Sequence, residues 1–318
     1  MKIALAGEGA IARKHAAAIG NIDGAGIAVL AGGREEDTRD FADEFGIPHW
    51  TLDLDEALGQ PEVDAVLLAT PTPLHASQAI RCLDAGKHVL VEIPMADNLA
   101  DSEELVAKQR ETGLTAMVCH TRRFNPGHHW LHQRIVAGEL NLQHLVVETF
   151  FFRRENRNAL GKPRDWTDQL LWHHACHTVD LFGYQTGAPI TDVWAQQGPI
   201  HPDLDISMDM TVGLRNDRGQ LCSLALSFNN DGPLGTWFRY ICDNGTYVAR
   251  YDDLVDGRDE PVDLSEVPGP TDGIERQDRE FFTAITENRQ PNASVGDALD
   301  TMRVLDRLEK SLNHQGDA

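Results

Sequence analysis

The feature that most constrains this chain is its opening run, KIALAGEGAIARKHAAAIG, residues 2–20. An apolar stretch meets a glycine loop and passes straight into a helical pattern that stops at Gly20. The same grammar recurs over the next hundred residues. GIAVLAG is followed by REEDTRDFADEFG, VDAVLLAT by PLHASQAIRCLDAG, HVLVE by DSEELVAKQRETG, and the series closes on TAMVCH. Thr72 is expected to cap the third of these helices, with Pro73 in its first turn. Strands that are apolar on both faces and alternate with helices predict a parallel sheet covered on both sides, a doubly wound α/β domain.

After His120 the pattern changes. LQHLVVETFFFRRE, MDMTVGLRNDRGQLCSLALSFNN and WFRYICDNGTYVARYDD read as strands joined by tight turns, with Asp217-Arg218-Gly219 and Asn244-Gly245 as hairpin signals that favour positive φ. Helices are expected near 126–138, 168–186, 275–288 and 296–313. The predicted fold is thus a Rossmann-type domain over residues 1–120, followed by an α+β domain with an open, mainly antiparallel sheet over 121–318. The last helix is free to pack back on the first domain.

A chain of 318 residues with 41% hydrophobic and 25% charged content suits two soluble globular domains. Glycine and glutamate interrupt the apolar start, so neither a signal peptide nor a spanning helix is expected, and the cytoplasm is the expected location. Cys82, Cys119, Cys176, Cys222 and Cys242 lack the spacing of a zinc knuckle or a redox pair and read as free thiols.

A formal net charge of −22 argues against nucleic acid or an anionic membrane as partner. Residues 121–164 run the other way, with eight basic residues against three acidic ones. A local basic segment in an acidic chain points to a small anionic ligand.

The glycine loop carries the first chemical reading. Gly7-Glu8-Gly9-Ala10-Ile11-Ala12 lies between a strand and a helix, the context in which a GxGxxG-like pattern binds a dinucleotide. Gly7 allows the turn, Gly9 lets the pyrophosphate approach, Ala12 permits close helix packing, and Ala10 and Ile11 open the helix. An acid at the end of the second strand would hold the ribose of NAD. Here that strand ends Ala31-Gly32-Gly33-Arg34, which leaves room for a 2′-phosphate beside Arg34. NADP is the expected cofactor, with NAD the alternative.

The segment VDAVLLATPTPLHASQAIRCLDAGKHVLVEIP resembles the glucose-fructose oxidoreductase/inositol dehydrogenase (Gfo/Idh/MocA) family, and the likeness continues through RRFNP and HTVDLF to the C-terminal helices. That resemblance implies an NAD(P)-dependent oxidoreductase acting on a CH–OH group, with Thr70, Pro71, His75, Glu92 and Pro94 contributing to the cofactor site. It also implies a homodimer or homotetramer formed through the second sheet. Two departures stand out. The family usually has a lysine between the glutamate and the proline, where this chain has Ile93, and an Asp/His pair where this chain has His173 and His177. HTRRFNP, FFRREN, WTDQLLWHHACHTVDLF, GPIHP, FNNDGPLGT and RYICDNGTYVARYDDL are similar to a branch of the family in aromatic catabolism. Members of that branch oxidise a cyclic hemiacetal bearing two carboxylates to a lactone.

Such an oxidation needs a base near neutrality to take the hydroxyl proton. Without the lysine, imidazole is the replacement, with His177 as first choice, His173 orienting substrate or sharing the transfer, and Asp180 able to hold a tautomer. On an α-helix His173, His177, Asp180 and Tyr184 share a face. A metal held by His173, His177 and Cys176 is the weaker reading, so no metal is expected. His128 and His132 have the same spacing, and solvent exposure is expected for them. Arg122, Arg123, Arg153, Arg154 and Arg164 are candidates for a small dicarboxylate, with only one of Arg153 and Arg154 facing the site. Trp166 or Trp172 could wall a flat ring. A sugar-acid or polyol dehydrogenase, and a dinucleotide-binding sensor without catalysis, remain as alternatives.

Overall fold

The apolar run at the start of the chain becomes strand β1 (Lys2–Ala6), whose last four residues are buried. In the computed structural model, which describes residues 1–164 and 166–313, it is followed by α1 (Ala10–Gly20), β2 (Gly26–Ala31), α2 (Glu35–Phe45), β3 (His49–Thr51) and α3 (Leu54–Leu58). Then come β4 (Ala65–Leu68), α4 (His75–Asp84), β5 (His88–Val91), α5 (Leu99–Thr112) and β6 (Ala116–Val118). The six strands form one parallel sheet in the order β3-β2-β1-β4-β5-β6, so the winding reverses between β1 and β4. In such sheets dinucleotides bind outside the carboxyl ends of the strands at that reversal. β3 and α3 were not anticipated; each is five residues or fewer. Thr72 does not cap α4. It opens a short 3₁₀ turn, Thr72–Leu74, and Leu74 occupies the capping position.

The rest of the chain supplies α6 (Pro126–Val136), β7 (Leu142–Phe150), α7 (Cys176–Thr186), β8 (Ile190–Gln197), β9 (Asp209–Asn216) and β10 (Leu221–Ser227). These are followed by β11 (Gly235–Cys242), β12 (Thr246–Arg250), β13 (Asp253–Asp256), α8 (Gly273–Glu287) and α9 (Val295–Asn313). The seven strands form a mixed sheet in the order β13-β12-β11-β7-β10-β9-β8, parallel only between β7 and β10. Gly219 turns the β9–β10 hairpin with a φ of 82°, as its sequence suggests, whereas Gly245 closes the β11–β12 turn without positive φ.

The chain divides into two compact units, and the division is not a single cut. One unit holds Met1–Cys119 together with Arg157–Pro163 and Ile274–Leu299; the other holds His120–Asn156, Arg164–Gly273 and the residues from Asp300 on. A continuous second domain over 121–318 is therefore replaced by an interleaved one. The reason is visible at β6, the edge of the parallel sheet: Val118 donates its N–H to the Ala293 carbonyl, and Met117 bridges to Ser294. The segment after α8 covers an edge that would otherwise carry unpaired backbone groups.

In the second unit burial alternates along β9 and β10 and over most of β11, and one face is apolar. Phe238 and Tyr240 of β11 are fully buried, and Phe182 of α7 is too. His128 on α6 joins them. It is fully buried rather than solvent-exposed, 2.7 Å from the Tyr240 hydroxyl and edge-on to Phe238, while half-buried His132 stacks on Tyr184 at 3.9 Å. Gln185 donates to the same Tyr240 hydroxyl. Replacing Tyr240 with phenylalanine strands these buried polar groups, and is expected to cost about 1–3 kcal/mol of unfolding free energy. A lowered urea midpoint at unchanged m would measure it.

Candidate active site

The first unit builds a loop suited to a pyrophosphate. Gly7 has a φ of 106°, and a Cβ there would lie 2.4 Å from the Ala69 carbonyl oxygen, so only glycine lets β1 and β4 approach so closely. Gly9 caps α1 with extended backbone and no side-chain bond, and a Cβ on it would meet nothing within 4 Å. The first N–H groups of α1, at Ala10, Ile11 and Ala12, have no acceptor within the helix, and a helix start with no side-chain cap fits a phosphate anion. Ala12 is fully buried, as close packing of α1 requires.

Beyond β2 the backbone is equally crowded. A Cβ on Gly32 would lie 1.9 Å from the Thr38 hydroxyl, and Gly33 donates its N–H to both Glu8 oxygens at 3.1 Å. Arg34 follows, exposed at the start of α2, and no carboxylate pairs with it among the described residues. Lys162, distant in sequence, forms an ion pair with Asp37 in the first turn of α2. Sequence reasoning counted that lysine as part of a basic segment without placing it.

The family-pattern residues play unequal parts. His75 is buried, with Nδ1 2.8 Å from the Pro94 carbonyl oxygen and Nε2 2.8 Å from that of Thr70. It ties together the loops after β4 and β5, and the ring itself is not open to a ligand. Thr70 donates its hydroxyl to Gln78 at 2.6 Å, half-buried Pro71 follows it, and Glu92 sits half-buried at the end of β5.

In the second unit the histidine cluster does not lie on a uniform α-helix. Leu170–Ala175 forms a π-helical turn and α7 begins at Cys176. Wide turns of this kind recur at functional sites because they re-aim side chains. His173 Nδ1 accepts the Gln169 N–H at 3.0 Å, so its proton is on Nε2 and the ring can donate but not act as a base there. Trp166 stacks against this ring at 5.6 Å, while Trp172 is 2% exposed and donates to Glu309, a core role.

His177 is different. Its Nδ1 is buried with no hydrogen-bond partner among the described residues. Burial first, then the charges of Arg122, His120 and His174, push its pKa well below the ordinary imidazole value, against a smaller opposing pull from Asp180. The result is a neutral imidazole with an uncommitted nitrogen.

Asp180 does not hold either imidazole. It is fully buried and receives the Arg123 guanidinium through Nε at 2.8 Å and an Nη at 2.6 Å, with the Thr301 hydroxyl at 3.3 Å. Burial alone would raise its pKa, but Arg123 and His120 hold it below the usual carboxylate range. Arg123 is thereby committed to a buried ion pair instead of a ligand. Arg153 makes a bidentate pair with Asp168, and Arg164 and His174 reach the same carboxylate at 2.5 and 3.1 Å. Two guanidiniums and an imidazole thus share one anion, and Arg164 Nε remains buried without a partner among the described residues. Arg154 turns outward to Asn229 and the Phe152 ring, so of the adjacent pair only Arg153 points inward. Among the described residues Arg122 has no carboxylate bond: it touches Asn125 at 3.3 Å and lies over Phe238 and Tyr251. Burial lowers its pKa, against a smaller opposing pull from Tyr251, Asp252 and Tyr240.

Cys176 is fully buried and its thiol is pushed up by burial, which removes it as a ligand beside His173 and His177. Among the described residues one group brings three ligand-type atoms within 4.8 Å, namely His15, Glu92 and Cys119 in the first unit. There the imidazole already uses both nitrogens on carboxylates, and burial holds the Cys119 thiol well above its ordinary value.

Comparison with known proteins agrees with this layout. Residues 1–120 match the oxidoreductase family with an NAD-binding Rossmann fold, Gfo/Idh/MocA, and residues 126–268 match the C-terminal domain of bacterial oxidoreductases. The 4-carboxy-2-hydroxymuconate-6-semialdehyde dehydrogenase of Sphingobium sp. (strain NBRC 103272 / SYK-6) is 58% identical over 99% of this chain and 100% of its own length. The NAD(+)-dependent scyllo-inositol 2-dehydrogenase of Bacillus subtilis (strain 168) is 28% identical over 61% of this chain and 56% of its own. Among solved structures, a levoglucosan dehydrogenase superposes with a TM-score of 0.85 at 20% identity, covering 99% of this chain and 97% of that one. The WlbA dehydrogenase of Bordetella pertussis does so with 0.84 at 21%, over 99% and 96%.

The Asp180–Arg123 pair generates a stability test. Asp180→Asn leaves a buried guanidinium uncompensated and is expected to cost about 3–5 kcal/mol in urea unfolding. Replacing both partners by apolar residues of similar volume should cost less than either single change.

Proposed function

Because the chain belongs to the Gfo/Idh/MocA oxidoreductase family, we propose that it oxidises the cyclic hemiacetal of 4-carboxy-2-hydroxymuconate-6-semialdehyde to 2-pyrone-4,6-dicarboxylate, using NADP. The observation that carries this reading is the buried His177 Nδ1, without a hydrogen-bond partner among the described residues, in a chain 58% identical to an enzyme of that name.

The first unit holds the dinucleotide, with its pyrophosphate on the Gly7–Ala12 loop. When bound, the nicotinamide supplies the acceptor for the hydride that leaves the hemiacetal carbon. Arg34 binds the 2′-phosphate, after a strand end, Ala31-Gly32-Gly33, that includes no acid, while the Glu8 carboxylate accepts the Gly33 N–H from the glycine loop. The second unit holds the substrate. Arg122 binds one carboxylate, and Arg164, backed by Arg153, binds the other in the planar bidentate manner of guanidinium groups. Trp166 walls the ring. His173 donates from Nε2 to the substrate oxygen and fixes its orientation. His177 takes the hemiacetal hydroxyl proton at Nδ1 as the C–H bond breaks, so the carbon loses a hydride and the oxygen a proton, leaving the lactone carbonyl. In this scheme the imidazole replaces the lysine whose place is taken by Ile93.

The direct test is formation of NADPH, followed by absorbance, on mixing the protein with NADP and freshly ring-cleaved protocatechuate. Turnover there with none on inositols or sugar acids supports the assignment. Turnover only on a polyol or sugar acid overturns it, and tight NADP binding without any turnover points to a sensor. His177→Ala should lower kcat by at least about a hundredfold, and a change under about tenfold removes it as the base. Arg34→Ala should raise the KM for NADP by about tenfold or more while leaving that for NAD nearly unchanged, since a charge-assisted contact is worth about 1.5–3 kcal/mol.

A further inference from the structure

A histidine that the reaction scheme does not use lies at the heart of the first unit. His15, in the second turn of α1, is completely buried. Its Nδ1 is 2.8 and 3.0 Å from the two oxygens of Asp278 on α8, and its Nε2 is 2.8 Å from Glu92 Oε1. Asp278 is also fully buried, whereas the Glu92 side chain keeps 13% of its surface open. Burial would lower the His15 pKa, but the Asp278 charge and the bonds to Asp278, Cys119 and Glu92 hold it well above the ordinary value. The ring is therefore an imidazolium donating from both nitrogens, flanked by two carboxylates.

Such an arrangement is not explained by stability. A buried ion pair seldom outperforms apolar packing of the same volume, so its retention calls for another role. Its location suggests one. In a doubly wound sheet the adenosine half of a dinucleotide lies over the strand that follows the glycine-loop helix, here β2, and the second half lies across the reversal, over β4 and β5. Glu92 stands at the carboxyl end of β5, its N–H bonded to the Leu68 carbonyl at the end of β4. Its Oε2 receives the Ile93 N–H at 3.2 Å, 13% of its side-chain surface stays open, and β5 lies across the reversal from β2.

We propose that Asp278 and His15 form a positioning relay that fixes the Glu92 carboxylate to receive the nicotinamide half of the bound dinucleotide. Asp278 sets the imidazole, the imidazole sets Oε1 of Glu92, and the remaining lone pairs of that carboxylate accept from the carboxamide of the nicotinamide. The relay rests on dinucleotide binding by the first unit and not on the identity of the substrate. It makes His15 a positioning residue, since it acts only through Glu92.

The test is equilibrium binding of two probes to the full chain without substrate: NADP, and 2′-phosphoadenosine diphosphoribose, which lacks only the nicotinamide. His15→Ala and Glu92→Gln should each weaken NADP by about 10- to 100-fold, the worth of a hydrogen bond to a charged group, and leave the truncated probe within about twofold. The double variant should lose no more than the larger single loss, because both changes remove one interaction. Equal weakening of both probes would mean that His15 only supports the fold, and unchanged NADP binding would mean that Glu92 does not receive the nicotinamide; either overturns the relay. Glu92→Gln, on a partly open side chain, keeps the test decisive if His15→Ala fails to fold. A wild-type protein that binds neither probe would overturn dinucleotide binding itself, and the relay with it.

Discussion

Desolvated positive charge governs the second unit. Asp168 and Asp180 are the buried acids available to its arginines, and each is already taken, one by Arg153, Arg164 and His174, the other by Arg123. Among the described residues, Arg122 is left without a carboxylate bond, and two guanidiniums share the single Asp168 carboxylate. Such a surplus is costly inside a protein unless an anion is brought to it. Burial first, then the charges of Arg122, His120 and His174, push the His177 pKa well below the ordinary imidazole value. In the proposed reaction the substrate carboxylates and the base would depend on one electrostatic condition: the guanidinium charge that attracts an anion also lowers the pKa of the neighbouring imidazole.

The first unit solves a different problem, that of letting backbone approach a ligand. Gly7 and Gly32 let the backbone pack against Ala69 and Thr38 where a Cβ would clash, and a Cβ on Gly9, at the start of α1, would meet nothing within 4 Å. The residues that shape the loops lie one layer behind. His75 joins the ends of two loops through their carbonyls, and His15 holds Glu92 from inside α1. Polar groups this deeply buried serve geometry first.

Much of this was legible in the sequence where glycine punctuates the chain. Gly9 and Gly20 bracket α1, Gly46 and Gly113 close α2 and α5 in the left-handed conformation, and the apolar runs between them fall on strands. Short elements such as β3 and α3 carry too few residues to show a period. The π-turn at Leu170–Ala175 was hidden because histidines four apart read equally well on an α-helix. Charge partners were the least legible. Arg123 and Asp180 are 57 residues apart, His15 and Asp278 are 263 apart, and neither arginine nor histidine announces whether its partner is a ligand or a buried aspartate. Hence five arginines looked alike in sequence, while in the fold Arg123 is internally neutralised, Arg154 faces outward and Arg122 is left unmatched.

If burial and neighbouring cationic charge keep His177 neutral so that it serves as the base, the pH dependence of kcat/KM reports it most directly. A base works only when deprotonated, and a depressed pKa keeps it so to lower pH, so the acidic limb should fall well below the ordinary imidazole value of about 6.5 and should disappear in His177→Ala. A limb at or above about 6.5, or one that persists unchanged in that variant, would contradict the account.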